Sequence, residues 1–218
     1  MELDHVFVMC DVGAPEAASL HALGLREGSP NTHPGQGTAC RRFFFGNAYL
    51  ELVWVTDAAE AQAPDVAPTR LWDRWSQRRR GASPFGIVLR GGRNAPDATP
   101  TWPTWVYRPS WLDEGQAIEF ARDTPLREPE IIAMPFVRER ARAGLEPLDH
   151  DFPLTHITSA TCGLDAPSEL SPASQALHAS GIVAFEPARE PTLRLSFADA
   201  VEGKTMDLWP TLPLVLEW

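Results

Sequence analysis

Cysteine is scarce in this chain. Its 218 residues hold three, Cys10, Cys40 and Cys162, with no C-x-x-C pair. Such a set builds neither a disulfide framework nor a zinc ribbon, and predicts a reduced, intracellular protein. Cys10 ends an apolar run and Cys162 a Thr/Ser-rich one, so both read as packing residues rather than nucleophiles. Positive charge is short as well. Nineteen Lys and Arg face 29 Asp and Glu, for a net charge of -10 and a pI near 5.0. Binding a duplex requires clustered cations. The one basic run, Arg78-Arg79-Arg80, reads as a solvated helix end. Nucleic acid and anionic membrane are therefore excluded as expected partners. No stretch approaches the ~18 apolar residues of a membrane span. The opening Met-Glu-Leu-Asp-His lacks a basic region and a small-residue cleavage site, which predicts a cytoplasmic location.

Proline, in contrast, is abundant. Its 21 residues are about double the usual ~5%, which argues against a mostly helical bundle. Twelve of them fall between Pro64 and Pro153, so the excess marks one section of the chain. Before it, Leu3 to Cys10 reads as a strand, and Ala14 to Leu23 as a helix capped by Gly24. Thr38 to Phe45 and Ala48 to Thr56 read as strands joined at Gly46-Asn47, a two-residue hairpin signal. Arg26 to Gly37 is loop around at most a short strand. In the middle a helix is expected over Thr69 to Arg80. Strands are expected at Pro84 to Arg90, Trp105 to Tyr107, Ala117 to Ala121 and Glu130 to Val137. After Pro153 come a strand at Leu154 to Cys162 and a helix at Ser171 to Ser180, with Ser171 as N-cap and Gly181 as C-cap. Three further strands are expected at Ile182 to Phe185, Thr192 to Ala198 and Lys204 to Trp209.

The late pattern resembles the early one. Leu3-x-His5 recurs as Leu154-x-His156, Ser19 to Leu25 as Ala176 to Ile182, and Leu50-Glu51-Leu52 as Met206-Asp207-Leu208. The expected fold is α+β, built of repeated βαβββ modules that form curved mixed sheets. The sections are 1–56, a Pro-rich middle at 57–153, and 154–218. The repeat has a flaw: Gly46 precedes Glu51 by five residues, Gly203 precedes Asp207 by four, and a one-residue slip changes the face. Either the hairpins differ in length or Asp207 is not the counterpart of Glu51.

His5 and Glu51 are polar groups in apolar strands, costly to bury without partners. One reading has His5, Glu51, His156 and Asp207 converge in a cup as ligands of Zn, Fe, Mn or Ni. The other has His5 and Glu51 bond each other or the backbone and hold no ion. His21 and His178 read as helix C-terminal residues. His33 and His150 lie in loops without an obvious partner. Trp72, Trp75, Trp102, Trp105 and Trp111 read as core or as a flap over an apolar ligand.

LDHVFVMCDV, ALGL, GTACRRFFFG and AYLELVWV, in that order, make the chain resemble the vicinal oxygen chelate superfamily, and within it the glyoxalase-like domain proteins. The resemblance covers residues 1 to 56 well, the middle loosely, and 154 to 209 again. It implies paired βαβββ modules around a ligand, a homodimer, and a divalent metal held by His5 and Glu51. Glu51 is then a ligand or a general base, and the metal a Lewis acid in isomerase, lyase or dioxygenase chemistry. Relatives that bind small molecules without metal keep a binding or sequestering role open. An interaction scaffold with a filled cup is a third reading. If the first section pairs with the middle, the cup keeps two ligands; if with the third, His156 and Asp207 complete four.

Overall fold

The computed structural model describes residues 1–138, 145–165, 169–198 and 203–218. The first section gives β1 (Glu2–Met9), α1 (Ala17–Ala22), β2 (Asn31–His33), β3 (Thr38–Phe44) and β4 (Tyr49–Val55). The middle gives α2 (Ala58–Ala61), α3 (Leu71–Gln77), β5 (Phe85–Arg90), β6 (Thr104–Tyr107), β7 (Ile118–Ala121) and β8 (Glu130–Met134). The last gives β9 (Ile157–Leu164), α4 (Pro172–Ser180), β10 (Ala184–Pro187), β11 (Thr192–Phe197), β12 (Thr205–Asp207) and β13 (Leu214–Glu217).

Two mixed sheets form. The larger has eight strands in the order β2-β3-β4-β1-β5-β8-β7-β6 and curls into a half-barrel. β1 runs parallel to β4, and β5 parallel to β8. The antiparallel β1–β5 pair joins the two halves. The Pro-rich middle is therefore the partner of the first section. Its prolines sit largely in the connections, where no ladder N–H is required. The second sheet has the order β10-β9-β11-β13-β12. Its β9 is parallel to β10 and its β11 parallel to β13, so its strands do not follow the order of the first section.

Strand alternation sorts the core into two clusters. Val6, Val8, Leu50, Leu52 and Ile87 face the second sheet, and pack with Leu193, Leu195, Leu214 and Leu216. Helices α1 and α4 add Leu20 and Leu177 to this layer. The opposite, concave face carries Phe7, Met9, Val53, Val88, Phe120 and Ile132. Caps act as their residues predict. Ser171 accepts a bond from Ser174 N at the start of α4, and Gly24 and Gly181 take positive φ of 78° and 73° after α1 and α4. The Gly46-Asn47 turn reaches the other sheet: Asn47 donates to the Ile157 carbonyl and accepts from its N–H, both within 2.9 Å.

Candidate functional site

The concave face of the eight-stranded sheet holds a cavity of about 210 Å³. β1 and β4 contribute His5, Phe7, Tyr49, Glu51 and Val53, and β5, β7 and β8 contribute an apolar wall of Val88, Ile118, Phe120 and Ile132. Trp111 and Leu112, from the loop between β6 and β7, close one side, with Trp111 packed on His33 at 5.4 Å between ring centroids.

A β-bulge aims His5. In the β1–β5 ladder Leu3 faces Leu89 and His5 faces Val88, which leaves Asp4 as the extra residue. Bulges re-aim side chains locally. Here Leu3 turns to the inter-sheet core, away from the face that simple alternation gives it. His5 stacks on Tyr49 at 4.3 Å and its Nδ1 lies 2.8 Å from Asp4 Oδ2. Its Nε2 lies 3.7 Å from Glu51 Oε2, and Glu51 Oε1 accepts from Cys40 Sγ at 3.4 Å. Asp4, His5, Cys40 and Glu51 are all buried. Burial and the Glu51 charge push the Cys40 thiol well above its ordinary value. Burial raises Cys162 to about 12 and lifts Cys10 too, which fits packing roles for these thiols.

β2, the turn after it and the start of β3 supply a polar wall. His33 accepts from Asn31 Nδ2 at 3.1 Å, and its Nδ1 lies 2.9 Å from Thr38 Oγ1, which also accepts from Gln36 Nε2. Burial, then the neighbouring His5 and Arg42, lower the His33 imidazole below its ordinary value, while Glu51 opposes the shift. A depressed imidazole contributes stability above its unfolded value of 6.5, and loses it as pH falls toward the folded value. Urea midpoints are therefore expected to drop below about pH 6.5, and His33→Gln should remove part of that drop. Parallel profiles for the two proteins would refute this.

The sequence candidates separate. His5 and Glu51 meet in the cup. His156 does not join them: it is exposed, just before β9, and its ring lies against Gly46, where a Cβ would come within 2.6 Å. Asp207 is exposed on edge strand β12 of the other sheet, where its Oδ1 accepts from Trp209 N. The pairing of the first section with the middle is the cause. His21 stands in the last turn of α1 with its ring 3.1 Å from Glu27, and His178 accepts from Phe185 N. Arg78 and Arg79 both pair with Asp11. Sequence reasoning missed Asp4, His33 and Gln36. His33 ends a three-residue strand and Gln36 lies in the turn after it, and neither setting offers a periodicity to place a side chain.

A divalent ion held by protein takes three or four side-chain donors. His5 and Glu51 supply two. Val88 and Ile132 stand beside His5 on β5 and β8, and His33 spends its nitrogens on Asn31 and Thr38. Among the described residues no third His, Cys, Asp or Glu completes a metal-holding group. The donor set does not fit a divalent ion held by this chain alone. Charge is equally one-sided. No lysine or arginine is among the described lining residues, and Arg42, opposite Glu51 in the ladder, turns to the Ser29 and Pro30 carbonyls.

No helix among the described residues is long and apolar enough to cross a membrane. No curated protein matches the chain in sequence. Among solved structures, a hypothetical protein from Staphylococcus aureus is similar in trace at 9% identity and a TM-score of 0.49, over 99% of this chain and 98% of the other. A Streptomyces coelicolor methylmalonyl-CoA epimerase is similar over 64% of this chain and 99% of its own, at 16% identity and a TM-score of 0.41. A variant of 4-hydroxymandelate synthase from Streptomyces coelicolor covers 99% of this chain and 61% of its own, at 9% identity and a TM-score of 0.43. None of the three lends a residue role to this chain. The family model for the glyoxalase-like domain matches residues 3–122, which span the first section and the middle up to the end of β7. With the half-barrel to which those residues contribute seven of eight strands, the chain belongs to the glyoxalase-like domain family.

Proposed function

We propose that the cup binds a small, mostly apolar molecule whose polar end is neutral or cationic and rests against His5 and Glu51. One observation supports this above others: a buried imidazole and carboxylate stand at the edge of an apolar cavity that no lysine or arginine lines, among the described residues. A carboxylate or phosphate placed there would meet Glu51 and no compensating cation, and burying an unpaired charge is costly. An ammonium or hydroxyl would find acceptors. The cavity of about 210 Å³ lies below the ~300 Å³ at which drug-sized sites begin, so the ligand is small. An open cavity also favours this reading over the scaffold with a filled cup.

The chemistry open to these residues is acceptance of a proton or hydrogen bond, with Glu51 as base beside His5. A metal that arrives with a chelating ligand is the competing reading, since Nε2 and Oε2 are near enough to share one. Three probes of equal size decide the ligand class: benzylamine, benzyl alcohol and benzoate. Ligand-detected NMR should register the amine and the alcohol and not benzoate, and Glu51→Gln should abolish the discrimination between the amine and benzoate. Benzoate bound as well as the amine would overturn the proposal. So would one metal per chain after metal-replete dialysis, lost in His5→Ala.

A further inference from the structure

The back of His5 is more constrained than its front. Asp4 Oδ2 lies 2.8 Å from Nδ1, and Asp4 Oδ1 lies 3.3 Å from Arg90 Nη1. The same Nη1 also donates to the carbonyls of Leu3 at 2.9 Å and Asn47 at 3.0 Å. Arg90 Nη2 lies 3.5 Å from Glu2 Oε2. Asp4 and Arg90 are each 2% exposed, so water does not compete for these atoms. The bulge makes the arrangement possible, because it gives neighbouring residues of one strand side chains that meet.

For a neutral His5 ring, donor and acceptor capacity then leaves one solution. A carboxylate only accepts, and a guanidinium only donates. Asp4 therefore needs a proton on His5 Nδ1, and the neutral ring must carry its lone pair on Nε2. We propose that Asp4 and Arg90 are positioning residues that hold His5 as the Nδ1–H tautomer, so that Nε2 joins Glu51 as a second acceptor in the cup. The tautomer itself needs no ligand. Its consequence for recognition rests on the reading of the cup given above, and sharpens it: the polar end of the ligand must be a donor, a hydroxyl or an amine, and carbonyls or ethers alone are refused.

The test is to observe the ring directly. Imidazole nitrogen–proton correlation spectra of the isotope-labelled full chain, at about pH 9 and so above the range of ordinary imidazole titration, report which nitrogen is protonated. His5→Gln assigns the signal. Nδ1–H is expected, and Nε2–H in the wild-type chain overturns the proposal, with no variant required. Asp4→Asn should reverse the tautomer. Arg90 can only donate, so it takes the amide carbonyl and leaves the NH2 group facing Nδ1, which must then accept. An unchanged tautomer in a folded Asp4→Asn chain removes Asp4 from the positioning role. Benzylamine, whose ammonium can only donate, should bind Asp4→Asn about tenfold more weakly, a change of ~1.4 kcal/mol. If the wild-type chain shows Nδ1–H yet binds no benzyl alcohol, the tautomer stands and the reading of the cup falls.

Discussion

Arg74→Met should destabilise the protein by about 3–5 kcal/mol, the cost of breaking a buried ion pair from one side. Arg74 is 0% exposed, yet its guanidinium is almost fully employed. Nη1 donates to the carbonyls of Ser83, Leu126 and Glu128 at 2.8, 3.2 and 2.7 Å, and Nη2 to Glu130 Oε2 at 3.1 Å. The Leu126 carbonyl also accepts from Ser83 N at 2.7 Å, while those of Ser83 and Glu128 lie outside any ladder, so one side chain on α3 satisfies them. Burial pushes the Glu130 carboxyl upward, and the guanidinium opposes that shift. Methionine would keep much of the volume, orphan the Ser83 and Glu128 carbonyls and strip the Glu130 carboxylate of its cation, while the Leu126 carbonyl keeps its bond from Ser83 N. Lysine would keep the charge without the fork. Urea unfolding with an unchanged slope is the measurement. Arg74→Met combined with Glu130→Met should recover part of the loss, because the stranded carboxylate goes with it. A loss below about 1 kcal/mol, the range of an exposed pair, would mean that water has replaced the guanidinium.

The second large effect belongs to the cup. Gly86 lies opposite Phe7 in the β1–β5 ladder and opposite Glu130 in the β5–β8 ladder. A Cβ there would come within 1.9 Å of the Phe7 ring. β5 is paired on both sides and cannot retreat. Gly86→Ala must therefore drive Phe7 into the cavity, at roughly 1–3 kcal/mol of overpacking strain. Benzyl alcohol affinity should fall by about tenfold or more, and Phe7→Leu in the same chain should restore it. Wild-type affinity in Gly86→Ala would show that the probe binds elsewhere.

Particular residues show how far the sequence could be read. His5 and Glu51 stood out because each interrupts an apolar strand, and both reach the cup. Asp4 did not, because alternation assigns it to the opposite face and only the bulge brings it back. The likeness between Ser19 to Leu25 and Ala176 to Ile182 has a local cause. Leu-His-Ala-x-Gly at Leu20 and at Leu177 ends a helix in the same way, with His in the last turn and Gly at positive φ. That is capping chemistry, which any helix of this length can use. Leu154-x-His156 matches the start of β1 in letters, but His156 stands outside its strand. Pairing between sections depends on which faces bury together, and no string of residues records that. β13, parallel to β11 and central to its half of the second sheet, went unread because Pro210 and Pro213 make its approach look like loop.

The second sheet also has a mechanical consequence. The centre of the cup wall is one ply of a laminate, packed behind β1, β4 and β5 against another ply and pinned at the hairpin by Asn47. Flattening such a laminate requires its interlocked layers to shear past each other, which close-packed side chains resist. The wall therefore acts as a rigid gauge of ligand size. The edges of the cup, β2 and the loop that carries Trp111, have no such backing from the inter-sheet cluster.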